Sequence, residues 1–165
     1  MGDSKRFDLF AEYIARNFPV SKYKRVADIA GGQGYLQQAL RKLSYDVTTF
    51  DKRHKHVKSN KIQYKFKYFD SSIKDDYDLL VGMHPDEATD IIIAEAIKRN
   101  IPFVVVPCCI KPTVTTFKGQ QDYKAWVNHL KFFAMRQGYH VEEYQLKMAG
   151  KNILLKGSPK SASRR

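Results

Sequence analysis

Apolar and polar positions alternate along the chain with two different periods, and the changes of period mark out helices and strands in turn. Phe7, Phe10, Ile14 and Phe18 recur at helical spacing, Asp3 or Ser4 can cap the start, and Pro19 stops the run. Residues 4–17 therefore read as an amphipathic helix. A short apolar strand, 26–30, runs directly into Gly31-Gly32-Gln33-Gly34. Leu36, Ala39, Leu40 and Leu43 then trace the buried stripe of a second helix, and a strand at 47–50 ends on Asp51.

Ile62, Tyr64, Phe66 and Tyr68 alternate with Gln63, Lys65 and Lys67, which predicts a strand with one wet face and with Tyr64 and Tyr68 in the core. Residues 79–83 and 103–106 are continuously apolar, as central parallel strands are. Between them, Pro85 suits the first helical position, Asp86 and Glu87 complement the positive end, and Lys98 and Arg99 the negative end. Asn100 suits a left-handed cap. After a loop at 107–119, long enough to suspect function, Tyr123, Trp126, Leu130 and Phe133 give a helix its buried face. Segments 141–146 and 152–155 close the chain as an antiparallel pair.

Strands alternating with helices predict an α/β fold: a doubly wound, mostly parallel seven-stranded sheet with helices on both faces and a C-terminal antiparallel hairpin. The expected organisation is one domain over 1–157, N-terminal helix included, followed by a basic flexible tail at 158–165. No apolar run is long enough for a membrane helix, so no membrane association and a cytoplasmic location are expected.

Charge changes this picture from fold to partner. The 165 residues carry 29 Lys and Arg against 17 Asp and Glu, a formal charge of +12. Half of that excess lies between Asp51 and Lys67, which includes Lys52, Arg53, Lys55 and Lys58 directly after the strand-ending aspartate. A polyanion is the expected partner, RNA first. Lys111 and Lys118 on the long loop are further candidates to meet phosphates. Solvated surface charge is the alternative for all six. The two cysteines, Cys108 and Cys109, are adjacent; they are read as reduced thiols, and two are too few ligands for a structural zinc site, so no metal is expected.

The segment Asp28-Ile29-Ala30-Gly31-Gly32-Gln33-Gly34 resembles the first motif of class I S-adenosylmethionine (SAM) dependent methyltransferases, acidic-x-Gly-x-Gly-x-Gly, with Ala30 in place of the first glycine. Glycines let the backbone turn tightly and approach a ligand, and N–H groups at the next helix start can bind its polar atoms. Gln37 stands where a dinucleotide motif needs glycine. The resemblance covers nearly the whole chain. It implies SAM as cofactor, with Asp28, Ala30, Gly31, Gly32 and Gly34 around the methionine end, Asp51 on the ribose hydroxyls and Met83 beside the cofactor. Asp70 matches the acid that contacts the adenine amino group; a turn cap before Ser71-Ser72 is the other reading.

On the acceptor side, Gly82-Met83-His84 and Pro107-Cys108-Cys109 resemble a methyltransferase group with Gly-x-His-x-Cys-Gly after the fourth strand and Pro-Cys-Cys after the fifth. That group includes RNA methyltransferases. Asp86-Glu87 replace its Cys-Gly. Four residues are catalytic candidates. His84 would be a base or a helix cap, and Asp86 an acid in the site or only a helix-dipole partner. Cys108 and Cys109 would be a nucleophile or thiols packed beside the cofactor. Methyl transfer depends mainly on positioning, so no catalytic triad is required. The expected activity is in-line methylation of tRNA or rRNA, with a protein partner possible for substrate recognition. The alternatives are a small-molecule or protein methyltransferase, and a non-catalytic RNA- or assembly-binding module on the same fold.

Overall fold

In the computed structural model, which describes residues 5–53 and 63–160, the chain runs α1 (Arg6–Asn17), β1 (Arg25–Ile29), α2 (Tyr35–Arg41), β2 (Asp46–Phe50), β3 (Tyr64–Lys65) and β4 (Leu79–Met83). It continues through α3 (Thr89–Arg99), β5 (Phe103–Val106), α4 (Tyr123–Arg136), β6 (Tyr139–Gln145) and β7 (Ile153–Pro159). The strands form one seven-stranded sheet in the order β3-β2-β1-β4-β5-β7-β6. Pairing is parallel from β3 across to β5 and antiparallel for β5-β7 and β7-β6.

Successive strand residues face opposite sides of the sheet, and both sides are covered. Val26, Val47, Leu79, Val81 and Val104 pack with Phe10 and Ile14 of α1 and Leu36 and Leu40 of α2. Ala27, Leu80, Phe103 and Val105 pack with Ile92 and Ile93 of α3 and Trp126 and Leu130 of α4. Burial on both faces is why β4 and β5 carry no polar alternation. The strand order reverses between β1 and β4, and in sheets of this kind that switch point opens a crevice at the carboxyl ends.

Several local expectations need correction. The third strand is two residues long, because the Lys67 N–H bonds back to the Lys65 carbonyl at 2.9 Å and turns the chain off the edge. Alternation therefore stops, and Tyr68 is 51% exposed instead of sitting in the core, while Tyr64 is half-buried. Ile62, Asp3 and Ser4 lie outside the described residues. Helix α2 ends at Arg41, which leaves Leu43 exposed. The helix expected from Pro85 opens instead as a 3-10 turn, Asp86–Ala88, and becomes α-helical only at Thr89. Asn100 does adopt the left-handed cap, with φ of 55°. Strand β7 continues through Pro159, so the boundary expected at 157/158 falls inside it.

Candidate functional site

The turn after β1 is built on three left-handed residues, Ala30, Gly32 and Gly34, with φ of 57°, 58° and 82°. Ala30 carries a Cβ into a conformation that disfavours one. Its N–H donates to the Phe50 carbonyl at 2.7 Å, which carries the β1-β2 pairing into the turn. At Gly31 the constraint is space: a Cβ would fall 2.2 Å from Asp28 Oδ2 and 2.6 Å from Thr49 Cγ2. Asp28 lies beneath the turn, buried, accepting from Thr49 Oγ1 at 2.9 Å. Burial pushes its carboxyl up to about 7, against the opposing pull of the Thr49 hydrogen bond. It supports the turn from below. Sequence reasoning used Gln37 only to reject a dinucleotide motif, yet its buried amide nitrogen donates to the carbonyls of Val47 and Gln63 at 3.1 and 2.6 Å. It thereby holds β2 to the entry of β3.

Asp51, at the tip of β2, meets this turn: Gly32 N–H donates to its Oδ2 at 2.9 Å. Arg53 also holds it. The Arg53 backbone N–H donates to Oδ1 at 2.8 Å, Nε to Oδ1 at 3.0 Å and Nη2 to Oδ2 at 2.9 Å. Burial works against the charge, but the donors from Arg53 and Gly32 outweigh it and hold the carboxyl below its usual range. Tyr64 closes the far side, its hydroxyl donating to the Gly32 carbonyl.

Beside this carboxylate lies a cleft of about 230 Å³, below the ordinary range for small-molecule pockets. Of the sequence candidates, Ala30, Asp51, Lys52, Arg53 and Asp86 line it. Its apolar wall is Phe69, Ala88 and Ile91, none of them a site candidate in the sequence. Phe69 is fixed edge-on against Phe50, with ring centroids 4.9 Å apart. Lys52 spans the cleft to Glu87 at 2.9 Å and lies 4.7 Å over the Tyr68 ring. Asp70 is not in the wall: it is exposed and its Oδ1 accepts from Ser72 N–H at 2.8 Å, the turn-cap geometry. Met83 is buried at the end of β4.

The acceptor-side residues follow β4 and β5. His84 has φ of 50° and its N–H continues the sheet pairing to the Val106 carbonyl at 3.0 Å. Its Nε2 lies 2.7 Å from the Lys151 carbonyl, and a carbonyl only accepts, so Nε2 carries the proton and Nδ1 the lone pair. Burial lowers the affinity of this ring for a second proton. The side chain does not cap the following helix. Asp86, at φ of 56°, swings its carboxylate towards the β5 end, where it meets Lys111 Nζ at 2.8 and 3.0 Å. That partner is the main reason its carboxyl is held below the usual range. The ligand atoms of Asp86, Cys108 and Cys109 lie within 4.8 Å of one another. Burial pushes the Cys108 thiol up to about 11, so it is protonated at neutral pH, which disfavours the nucleophile reading.

The long loop is held by a residue the sequence did not reveal. Asp90, buried on α3, accepts at Oδ2 from the N–H groups of Thr113, Val114 and Thr115 at 2.8, 3.0 and 3.0 Å and from Thr115 Oγ1 at 2.9 Å. The RNA candidates are scattered: Lys52 and Arg53 line the cleft in ion pairs, and Lys111 pairs with Asp86, itself a cleft residue. Lys118 is exposed on the loop. Lys55 and Lys58 lie outside the described residues. No helix among the described residues is long and apolar enough to cross a membrane.

The fold recurs in solved structures, methyltransferases among them. The ribosomal protein L11 methylase from Lactobacillus delbrueckii subsp. bulgaricus superposes with a TM-score of 0.68 at 16% identity, covering 97% of this chain and 81% of that one. Magnesium protoporphyrin IX methyltransferase (ChlM) from Synechocystis PCC 6803 with bound SAM gives 0.63 at 12% identity, over 94% and 79%. Streptomyces venezuelae DesVI gives 0.62 at 12% identity, over 94% and 93%. At these identities the structural likeness shows the shared fold alone. No curated protein sequence matches the chain. A family model for a methyltransferase domain does match, over residues 5–115, and with that span covering more than half its length the chain belongs to this methyltransferase family.

Proposed function

We propose that this methyltransferase takes its methyl group from SAM and delivers it to RNA. The observation that carries the cofactor reading is Asp51: a carboxylate at the end of β2, joined at 2.9 Å to the amide of a left-handed glycine turn. A pair of ribose hydroxyls needs an acceptor of this kind. Asp51 would hold the ribose, the Gly32–Gly34 backbone and the start of α2 the methionine end, and Phe69, Ala88 and Ile91 the adenine. The sulfonium supplies an electrophilic methyl group for in-line displacement. The protein's own contribution is orientation and proton handling. His84 presents Nδ1 as a proton acceptor, its other nitrogen being committed to the Lys151 carbonyl.

RNA as acceptor rests on the charge of +12 and on the basic stretch that begins at the cleft. A partner protein would add substrate selection. A second reading, methylation of a small molecule or a protein, is favoured by one observation: Lys52, Arg53 and Lys111 are already matched to Glu87, Asp51 and Asp86. SAM calorimetry followed by transfer of labelled methyl into total RNA, total protein and metabolites separates these. Label in RNA that falls steeply with salt is the expected result, and label only in metabolites or protein removes RNA. RNA binding without SAM binding would point to the non-catalytic module.

A further inference from the structure

The clustering of Asp86, Cys108 and Cys109 is not used by the cofactor reading. The three residues come from the ends of β4 and β5 and bring two sulfurs and a carboxylate oxygen within 4.8 Å of one another. We propose that they form a binding site for one soft divalent metal ion of the zinc class, at the rim of the cofactor cleft.

The donor set is the first argument. Two thiolates with one carboxylate select a borderline-soft ion over magnesium or calcium, which take oxygen alone. Three protein ligands leave a tetrahedral ion one position for an exogenous group, the pattern of catalytic sites as opposed to structural ones. The second argument is the enclosed carboxylate. Asp86 Oδ1 is closed off from water and makes no aligned hydrogen bond, yet it meets the Lys111 ammonium at 2.8 Å, and the carboxylate also faces the Cys109 side chain. An oxygen that already draws a cation beside a sulfur is a position a metal ion can share.

The surroundings supply the third argument. Backbone amides of Asp86 and Cys109 face the Cys108 sulfur, the kind of outer contact that orients metal-binding ligands. Metal binding releases the two thiol protons to solvent, and Lys111 completes the charge: the resulting two thiolates and the carboxylate carry three negative charges, which a divalent ion and one ammonium together offset. Its side chain is 49% exposed, free to move as the ion enters. The loop bearing Lys111 is anchored by Asp90, which steadies this side of the site. Asp86 also lines the cofactor cleft, so the open coordination position would lie where an acceptor oxygen, nitrogen or sulfur approaches.

The test is titration of the whole 165-residue chain with Co²⁺ under a phosphine reductant, which keeps the thiols reduced without competing as a thiol. The expected result is one Co²⁺ per chain, with near-ultraviolet thiolate-to-cobalt charge-transfer absorption that Zn²⁺ abolishes. Cys108→Ser, Cys109→Ser and Asp86→Asn should each weaken binding by roughly tenfold or more. Far-ultraviolet circular dichroism and thermal unfolding of each variant report whether it has folded. Absence of the charge-transfer band overturns the site. So does a band that Asp86→Asn leaves unchanged, because the vicinal thiols would then be chelating alone. The readout does not involve SAM, so calorimetry with SAM can fail or succeed independently of it.

Discussion

Arg53 lies across Asp51, its guanidinium donating to both carboxylate oxygens at 3.0 and 2.9 Å. Those are the oxygens a ribose would need, so on the proposed reading the arginine would compete with the cofactor for this acid. The pair is partly solvated, with the Arg53 side chain 53% exposed, and contributes at most about 1 kcal/mol. Arg53→Ala should therefore tighten SAM binding by up to roughly five-fold, read by calorimetry. Weaker binding would mean that the guanidinium contacts the cofactor.

Asp51→Ala should have a much larger effect in the opposite direction. It removes the acceptor for two hydroxyls, each hydrogen bond to a charged group contributing about 1.5–3 kcal/mol, so affinity should fall by roughly a hundredfold or more. The fold should survive, since Asp51 is at a strand end with its donors close to solvent. The acid is held below its usual range, so its carboxylate persists as pH falls to about 4, and SAM affinity should not decline through loss of this charge until below that.

Asp28 predicts a pH dependence of stability. Its carboxyl is raised from 3.8 to about 7 in the folded chain. Between those values the folded state keeps a proton that the unfolded state has released, so stability falls as pH rises through the window and is level above it. The slope is at most about 1.4 kcal/mol per pH unit. Asp28→Asn removes it, since an amide can still accept from Thr49. The gap in melting temperature, variant minus wild type, should widen in favour of the variant from pH 4 to 7 and then stop. Parallel curves would show that the acid titrates normally.

Asp90→Ala should release the loop that follows β5. Three backbone N–H groups and a hydroxyl lose a charged acceptor, which costs about 2–4 kcal/mol where those groups stay buried. Hydrogen exchange at Thr113, Val114 and Thr115 should accelerate far more than exchange in β5. Uniform acceleration would mean that the whole fold had been destabilised.

The strands at 79–83 and 103–106 were legible to the residue because both faces of the sheet are covered, and a strand buried on both sides has no polar positions to blur its ends. The turn after β1 was legible for a different reason: its three glycines fall within four residues, two of them required by a left-handed backbone and Gly31 by the lack of room for a Cβ. Tyr68 misled because alternation implies a face only while the ladder continues, and the ladder ends at Lys65. Arg53 on Asp51 is a choice among side-chain conformations that no spacing encodes. Asp86 reaches the cysteines through a left-handed turn at its own Cα, in a residue type that gives little warning of it. Asp90 carries no signal in the sequence, since nothing near it names the loop it anchors.

The 2.2 Å between Asp28 Oδ2 and the missing Cβ of Gly31 ties the histories of two positions together. Neither can drift alone. An alanine at 31 becomes tolerable only after the acid below it has shortened or turned away, and that change would also disturb Thr49 on the neighbouring strand. Relatives should accordingly vary these positions as a set. Anyone transplanting the glycine bend into another sheet would have to move the acid and the threonine with it.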